Sequence, residues 1–222
     1  MAGYDDSVDF FDMLGQTEWN RSVQRSLIHW MGVYEQQEVL DVGCGAGRFA
    51  MQMAQRAKWV TGLDSSESMI MRARLNAMDY RLDNTTFTVG DVRDLPFGEE
   101  KFDLITCLNL LFMFPDPLQP LKELIRVCKP TGQVVLLNPS PAMNPWSAQT
   151  YCEKHGLKDF ERDSLLSWAT AAAKNHIFDE EFLRQKVEQA GGKLTDTLLL
   201  LDGIATVSKV VPALAVDEQV ET

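Results

Sequence analysis

From about residue 38 onward, short apolar runs of strand length alternate with stretches in which apolar side chains return every three or four positions. Val39-Leu40-Asp41-Val42 reads as a buried strand, followed by glycines and an amphipathic helix over 48–55. Residues 59–63 predict a second strand ending in Asp64, and Ser66 stands where it can cap a helix over 67–78. A third strand over 86–89 ends in Gly90-Asp91, and a fourth covers 102–108. A helix over 118–128 is stopped by Lys129-Pro130-Thr131-Gly132, and 133–137 is a fifth strand. This rhythm predicts an α/β fold, a doubly wound parallel sheet with helices on both faces.

The rhythm breaks over 140–177, which carries two helix signals and no strand. Asn144 is a cap with Pro145 at the first helical position, and Gly156 closes that helix. Asp163 is expected to cap a second helix running to 173. Asp179 caps a last helix over 180–190, ended by Gly191-Gly192. Strands over 194–201 and 204–211 follow, and Asp202-Gly203 between them is a hairpin signal. From 212 the chain reads as an acidic tail. No internal repeat interrupts the series.

Composition narrows the function. The net charge of -11 is repelled by phosphate backbones, which argues against nucleic acid as substrate. The longest basic-rich stretch, 71–81 with Arg72, Arg74 and Arg81, reads as the exposed face of a helix. No apolar run nears the roughly 20 residues of a membrane span, and the first ten residues lack the layout of a secretory signal. A cytoplasmic chain with no membrane partner is expected. Cys44, Cys107, Cys128 and Cys152 form no C-x-x-C pair and lie in or beside apolar segments, as reduced thiols do. The three histidines have no metal-ligand spacing, so no metal is expected.

The sharpest chemical signal is Asp41-Val42-Gly43-Cys44-Gly45-Ala46-Gly47. A buried strand runs into three alternate glycines and then a helix, so a ligand can lie against bare backbone near free helical N–H groups. The dinucleotide fingerprint requires G-x-G-x-x-G, but position 48 is Arg48. Asp41, two residues before the first glycine, disfavours a pyrophosphate and suits a cation. S-adenosylmethionine, with its sulfonium and ammonium, fits that charge. Asp64 can accept from paired ribose hydroxyls, and Asp91 from an adenine amino group with the Val92 backbone nearby. Ligands of open α/β sheets bind at the carboxyl ends of the strands, so all three acids are expected to converge on one crevice.

These residues resemble the class I S-adenosylmethionine-dependent methyltransferase family, in particular its small-molecule branch. Asp41-x-Gly43-x-Gly45-x-Gly47 matches motif I, Gly62-Leu63-Asp64-Ser65-Ser66 with Met69 matches motif II, and Gly90-Asp91-Val92-Arg93-Asp94-Leu95-Pro96-Phe97 matches motif III. The likeness covers about residues 38–137, and the final hairpin fits the family's seven-stranded Rossmann-like sheet with a helical insertion after the fifth strand. It implies a single methyltransferase domain over 1–222: a helical lid over 1–37, a cofactor-binding core over 38–139, a substrate cap over 140–178, a last helix and hairpin over 179–211, and a tail over 212–222. It implies a cofactor shell of Asp41, Gly43, Cys44, Gly45, Asp64, Ser65, Met69, Asp91, Val92, Arg93, Cys107 and Leu108. Within it Gly43 and Gly45 meet the methionine part and Met69 packs on adenine, while Cys107 and Leu108 offer backbone to the ligand's amino group. The product is S-adenosylhomocysteine. The family often carries glutamate-histidine after the fourth strand. Here Asn109-Leu110-Leu111-Phe112-Met113-Phe114 stands instead, an apolar wall. The base-methylating branch's Asn/Asp-Pro-Pro-Tyr run is missing after the fourth strand, and Asn138-Pro139-Ser140-Pro141 reads as a turn.

Blander readings stand beside these. Each aspartate alone is more often a cap or turn residue. Cys44 and Cys107 read as packing residues, and Met51, Met53, Met69, Met71 and Met78 as core filler, Met69 being singled out only by the resemblance. The run 110–114 reads as core whose tip can face the crevice. Tyr4, Phe10, Phe11, Trp19 and Trp30 suit a lid or packing on the sheet edge equally. His29 reads as structural, and His155, His176 and Tyr151 are weak general-base candidates. The acceptor pocket is expected between the N-terminal segment, 109–114 and 140–177, lined by Phe11, Trp19, Phe112, Met143, Trp146, Tyr151 and Trp168, and fit for a small or medium organic acceptor. Three other functions remain open: a nicotinamide oxidoreductase, a protein methyltransferase and a non-catalytic S-adenosylmethionine-binding module.

Overall fold

The computed structural model describes residues 8–213; Tyr4 and the tail from 214 lie outside the described residues. The elements run α1 (Val8–Leu14), α2 (Glu18–Met31), β1 (Glu38–Val42), α3 (Arg48–Ala54), β2 (Trp59–Asp64), α4 (Glu67–Asp79), β3 (Thr85–Val89), β4 (Phe102–Leu108) and α5 (Leu118–Val127). They continue β5 (Cys128–Pro139), α6 (Pro145–His155), α7 (Asp159–Lys174), α8 (Glu180–Gln189), β6 (Gly192–Leu200) and β7 (Ala205–Pro212).

The seven strands form one sheet in the order β3-β2-β1-β4-β5-β7-β6. β7 runs antiparallel to both neighbours and the other pairs are parallel. The order reverses between β1 and β4, which opens a crevice at the carboxyl ends of those strands. Period-two alternation buries both faces. Val39, Val60, Leu104, Val135 and Leu137 pack on one side against Leu27, Ile28 and Met53 of α2 and α3. Leu40, Val42, Leu63, Ile105 and Leu136 pack on the other against Leu121, Leu124 and Val187 of α5 and α8. A third cluster joins Trp19 of α2 to Met143, Ala148, Cys152, Leu165 and Ala169, so the insertion is built onto the N-terminal helices.

The caps form as the sequence predicts at three helices. Ser66 accepts from the Met69 N–H, Asp179 accepts from the Phe182 N–H, and Asn144 makes a capping box with Ser147.

Several boundaries differ. β5 starts at Cys128, because Lys129 to Gly132 form an irregularity inside the strand: Phe102 pairs with Cys128 and Leu104 with Gln133. Asn138 and Pro139 are not a turn but the last residues of β5, paired with Thr206 and Ala205 of β7. α7 begins at Asp159 with Lys158 at its cap position, so Asp163 lies inside the helix and pairs with Arg162. The acids Asp159 and Glu161 already fill its first turn and suit the helix dipole. The hairpin joins through four residues, 201–204, with Leu201 and Asp202 both at positive φ (51° and 53°). Met51, Met53 and Met69 are buried as expected, but Met71 and Met78 are 65% and 72% exposed, on the outer side of α4. Of the basic stretch, Arg74 is exposed on α4 and Arg81 exposed just past its end, while Arg72 is half-buried and pairs with Asp9 and Asp12.

Candidate cofactor and acceptor site

The glycine loop is held from below by the next strand. The N–H groups of Gly43 and Cys44 both donate to the Leu63 carbonyl, at 2.7 and 3.0 Å. Gly43, Gly45 and Gly47 all take positive φ, at 74°, 52° and 78°. A Cβ on Gly47 would sit 2.8 Å from the Phe87 ring, so that glycine lets α3 close on the sheet. At Gly45 nothing lies within 4 Å of the Cβ position, and the loop leaves an open cradle there.

Two carboxylates stand beside that cradle. Asp64, at the end of β2, reaches back to accept from Gly45 N–H at 2.9 Å and from Ser66 N–H at 3.0 Å. Burial pushes its carboxyl up, against the lowering effect of those N–H groups and that of Ser65. Asp41 is 3% exposed and accepts from Thr106 Oγ1 at 2.7 Å. Burial pushes it up to about 7, with the charge of Asp64 adding to the effect and the bonds from Thr106 and the Ala50 N–H opposing it. A positive charge beside such carboxyls favours their ionised forms.

The third acid is placed differently. Asp91 sits on a small bridge with Asp94 and is gripped by its neighbour Arg93, whose Nη2 lies 2.5 Å from Asp91 Oδ2. The Arg93 guanidinium holds the Asp91 carboxyl below the usual range, and both side chains remain accessible. Val92 and Met69 are buried, and Ser65 is exposed beside Asp64. Cys107 is fully buried on β4 and Leu108 half-buried at its exit, where Asn109 turns at positive φ and donates to the Leu137 carbonyl. Leu110 lies over the loop, its Cδ2 3.1 Å from the Cβ position of Gly43. Leu111 and Phe112 are core. Cys44, Cys107, Cys128 and Cys152 are all free and buried, and burial pushes all four thiols up, so none offers a ready thiolate.

The sequence reading missed the group that fastens the N-terminal helices to this loop. Asp12 of α1 is 7% exposed and accepts from Arg48 Nε at 2.7 Å, Arg72 Nη1 at 3.0 Å and Asn76 Nδ2 at 3.0 Å. Asn76 also holds the Ala46 carbonyl inside the loop. Burial raises the Asp12 carboxyl, but Arg48, Arg72 and Asn76 outweigh it and leave it lowered. One signal was visible, an acid on α1 followed by Arg48 directly after the last glycine, but no spacing rule links positions 12, 48, 72 and 76.

The N-terminal helices also meet the insertion. Trp19 stacks on Trp168 of α7 with centroids 6.1 Å apart and planes 9° off parallel. Its Nε1 donates to Ser164 Oγ, and Phe10 meets Phe160 edge to face. Glu161 of α7 accepts from the Glu18 N–H at 2.8 Å, capping α2 from another helix. Trp30 instead packs beside the sheet under Lys209 Nζ. Of the expected pocket lining, Trp19 and Trp168 come together. Met143 and Tyr151 belong to the same cluster, Phe112 is buried in another, and Trp146 stands 78% exposed on the surface. The base candidates are not gathered at one point. His155 pairs with Asp202 of the hairpin loop at 2.9 Å with Tyr151 stacked on it, fastening α6 to the sheet. His176 lies on the segment after α7, where its N–H donates to the Phe112 carbonyl.

Residues 35–191 match the family model described as "Methyltransferase domain". The chain belongs to the methyltransferase-domain family. The sheet order and the terminal hairpin are those of class I S-adenosylmethionine-dependent methyltransferases. The chain is 37% identical over 115 residues to a ubiquinone biosynthesis O-methyltransferase of Alkalilimnicola ehrlichii, covering 50% of this chain and 46% of the relative. It is 36% identical over 124 residues to a demethylmenaquinone methyltransferase of Halalkalibacterium halodurans, covering 54% and 51%. It thus spans about half the length of these curated relatives. A SAM-dependent methyltransferase from Aquifex aeolicus superposes with a TM-score of 0.68 at 17% identity, over 93% of this chain and 97% of that one, which shows the shared fold. Within this methyltransferase domain, no described helix is long and apolar enough to cross a membrane.

Proposed function

We propose that this chain transfers a methyl group from S-adenosylmethionine to a small or medium organic acceptor. The reading rests on one arrangement: the open cradle at Gly45 beside the buried Asp41 and the half-buried Asp64. A cationic nucleoside fits that set, whereas a pyrophosphate meets negative charge. Gly43 and Gly45 back the methionine part, with Cys44 packed beneath. Asp64 with Ser65 takes the ribose, and Asp91, Val92 and Arg93 form the adenine end. Met69, buried beneath, supports that end, and Cys107 and Leu108 present backbone to the ammonium. The cofactor supplies a methyl group already activated by its sulfonium.

The protein's share is then orientation and exclusion of water. The N-terminal helices over 8–31 and the insertion over 140–178 do this by closing together at Trp19 and Trp168. The core over 38–139 holds the cofactor, and the last helix and hairpin complete the sheet. An apolar, ring-shaped acceptor suits that aromatic wall, and the relatives' names point to quinone-type rings. A general base is needed only for a weakly acidic acceptor atom. The net charge of -11 disfavours nucleic acid, and four free thiols fit a reducing cytoplasm. Incubation with methyl-deuterated S-adenosylmethionine and a panel of hydroquinones, read by mass spectrometry, tests this. Label on a ring substituent is expected; cofactor binding without transfer to any ring would sink the quinone-type reading and favour a non-catalytic module.

A further inference from the structure

Among the described residues, three buried side-chain polar atoms lack any hydrogen-bond partner: Asn138 Oδ1, Trp168 Nε1 and Thr197 Oγ1. Thr197 lies on the edge strand β6. The other two lie on β5 and on α7 of the insertion. Asn138 is the penultimate residue of β5 and only 4% exposed. Its neighbour Leu137 takes the N–H of Asn109, the first residue past β4, so Asn138 sits at the edge where the crevice opens. Trp168 packs against all three apolar clusters, those of both sheet faces and that of the insertion. It therefore bridges the insertion to the end of the sheet. In the Trp19–Trp168 stack, one indole N–H is satisfied, by Ser164, and the other is not.

Folded proteins rarely leave such groups unmet, and those left unmet call for a partner. On the methyltransferase reading above, we propose that Asn138 and Trp168 are the polar anchors of the acceptor site and recognise a ring hydroxyl. A hydroxyl both donates and accepts. It gives its proton to Asn138 Oδ1 and receives the N–H of Trp168 Nε1. Both are positioning residues that select hydroxyl-bearing rings over fully etherified ones.

The test uses the whole chain saturated with S-adenosylhomocysteine and 15N-labelled at its indoles. Methoxyhydroquinone is the probe, and its fully O-methylated ether is the control. The Trp168 Nε1–H resonance, assigned with Trp168→Phe, is expected to move with the hydroquinone and not with the ether. Asn138→Leu and Trp168→Phe should each weaken the hydroquinone by about tenfold or more, as loss of a matched buried hydrogen bond does. S-adenosylhomocysteine affinity should stay within about twofold in both. Removing the unmet amide should also raise Tm in Asn138→Leu by about 2–4 °C.

A static Trp168 resonance, or unchanged probe affinity in both variants, overturns the proposal and leaves the two atoms to a buried water. A lower Tm in Asn138→Leu together with full probe affinity in Trp168→Phe also overturns it. Failure to bind S-adenosylhomocysteine takes down the cofactor reading itself, and this proposal with it.

Discussion

At the carboxyl ends of β1 and β2 the crevice is made of backbone and short acids that lie close together in the sequence. Gly45 N–H donates to the Asp64 carboxylate and Gly43 N–H to the Leu63 carbonyl, so β2 fixes the loop. Between the N-terminal helices and the insertion the packing is made instead of large side chains from distant segments. Trp19 from α2 meets Trp168 from α7, 149 positions later, and Glu161 reaches back to cap α2. The first end is rigid by local geometry; the second depends on two helical segments staying closed. A cofactor common to many chains suits the first construction, and an acceptor particular to one chain suits the second.

Mutations can break that contrast. Asp12→Ala should act most strongly, because it strands Arg48, Arg72 and Asn76 around a buried gap and loosens the loop side. A loss of about 3 kcal/mol in denaturant unfolding is expected. Because the Asp12 carboxyl is lowered, its stabilisation is present above about pH 4 and fades as the pH falls through its folded value. Asp12→Ala should therefore show less acid sensitivity than the parent.

Asp41→Asn comes next, with the opposite sign. The folded protein holds a proton at Asp41 up to about pH 7, whereas the unfolded chain releases it near the ordinary aspartate value of about 3.8. Stability therefore falls as the pH rises between those values and levels off above about 7. Asparagine removes that slope. At pH 8 the variant should be about 2 kcal/mol more stable than the parent, less than the full linkage because its amide cannot reproduce the Ala50 bond. It should also bind S-adenosylmethionine more weakly. Equal slopes in parent and variant would remove Asp41 from the account.

Glu161→Gln is the mildest. It weakens the cap on α2 by about 1 kcal/mol and should leave cofactor affinity within about twofold. A large drop in cofactor affinity would show that the two ends are not independent.

The difference between the ends also decides what was legible in the sequence. The strands of the core, the glycine loop and Asp64 are written in short-range patterns: apolar runs, alternate glycines and an acid at a strand end. Asn144 and Asp179 announce their helices the same way. Asn138 carried a misleading signal, because an asparagine before a proline favours a turn, whereas here pairing with β7 keeps both in the strand. Asp163 looked like a cap, but α7 starts four residues earlier, where Glu161 is used on another helix. Asp12 sits on a short helix whose partners come from α3 and α4, so nothing local marks it as buried.

The most direct test is calorimetric titration of the protein with S-adenosylhomocysteine and, separately, NADH, with Asp64→Ala beside it. The account predicts micromolar binding of the sulfur ligand, no binding of the nicotinamide, and about a hundredfold loss in the variant, the scale of two charge-assisted hydrogen bonds. Binding of NADH, or sulfur-ligand affinity indifferent to Asp64, would contradict it.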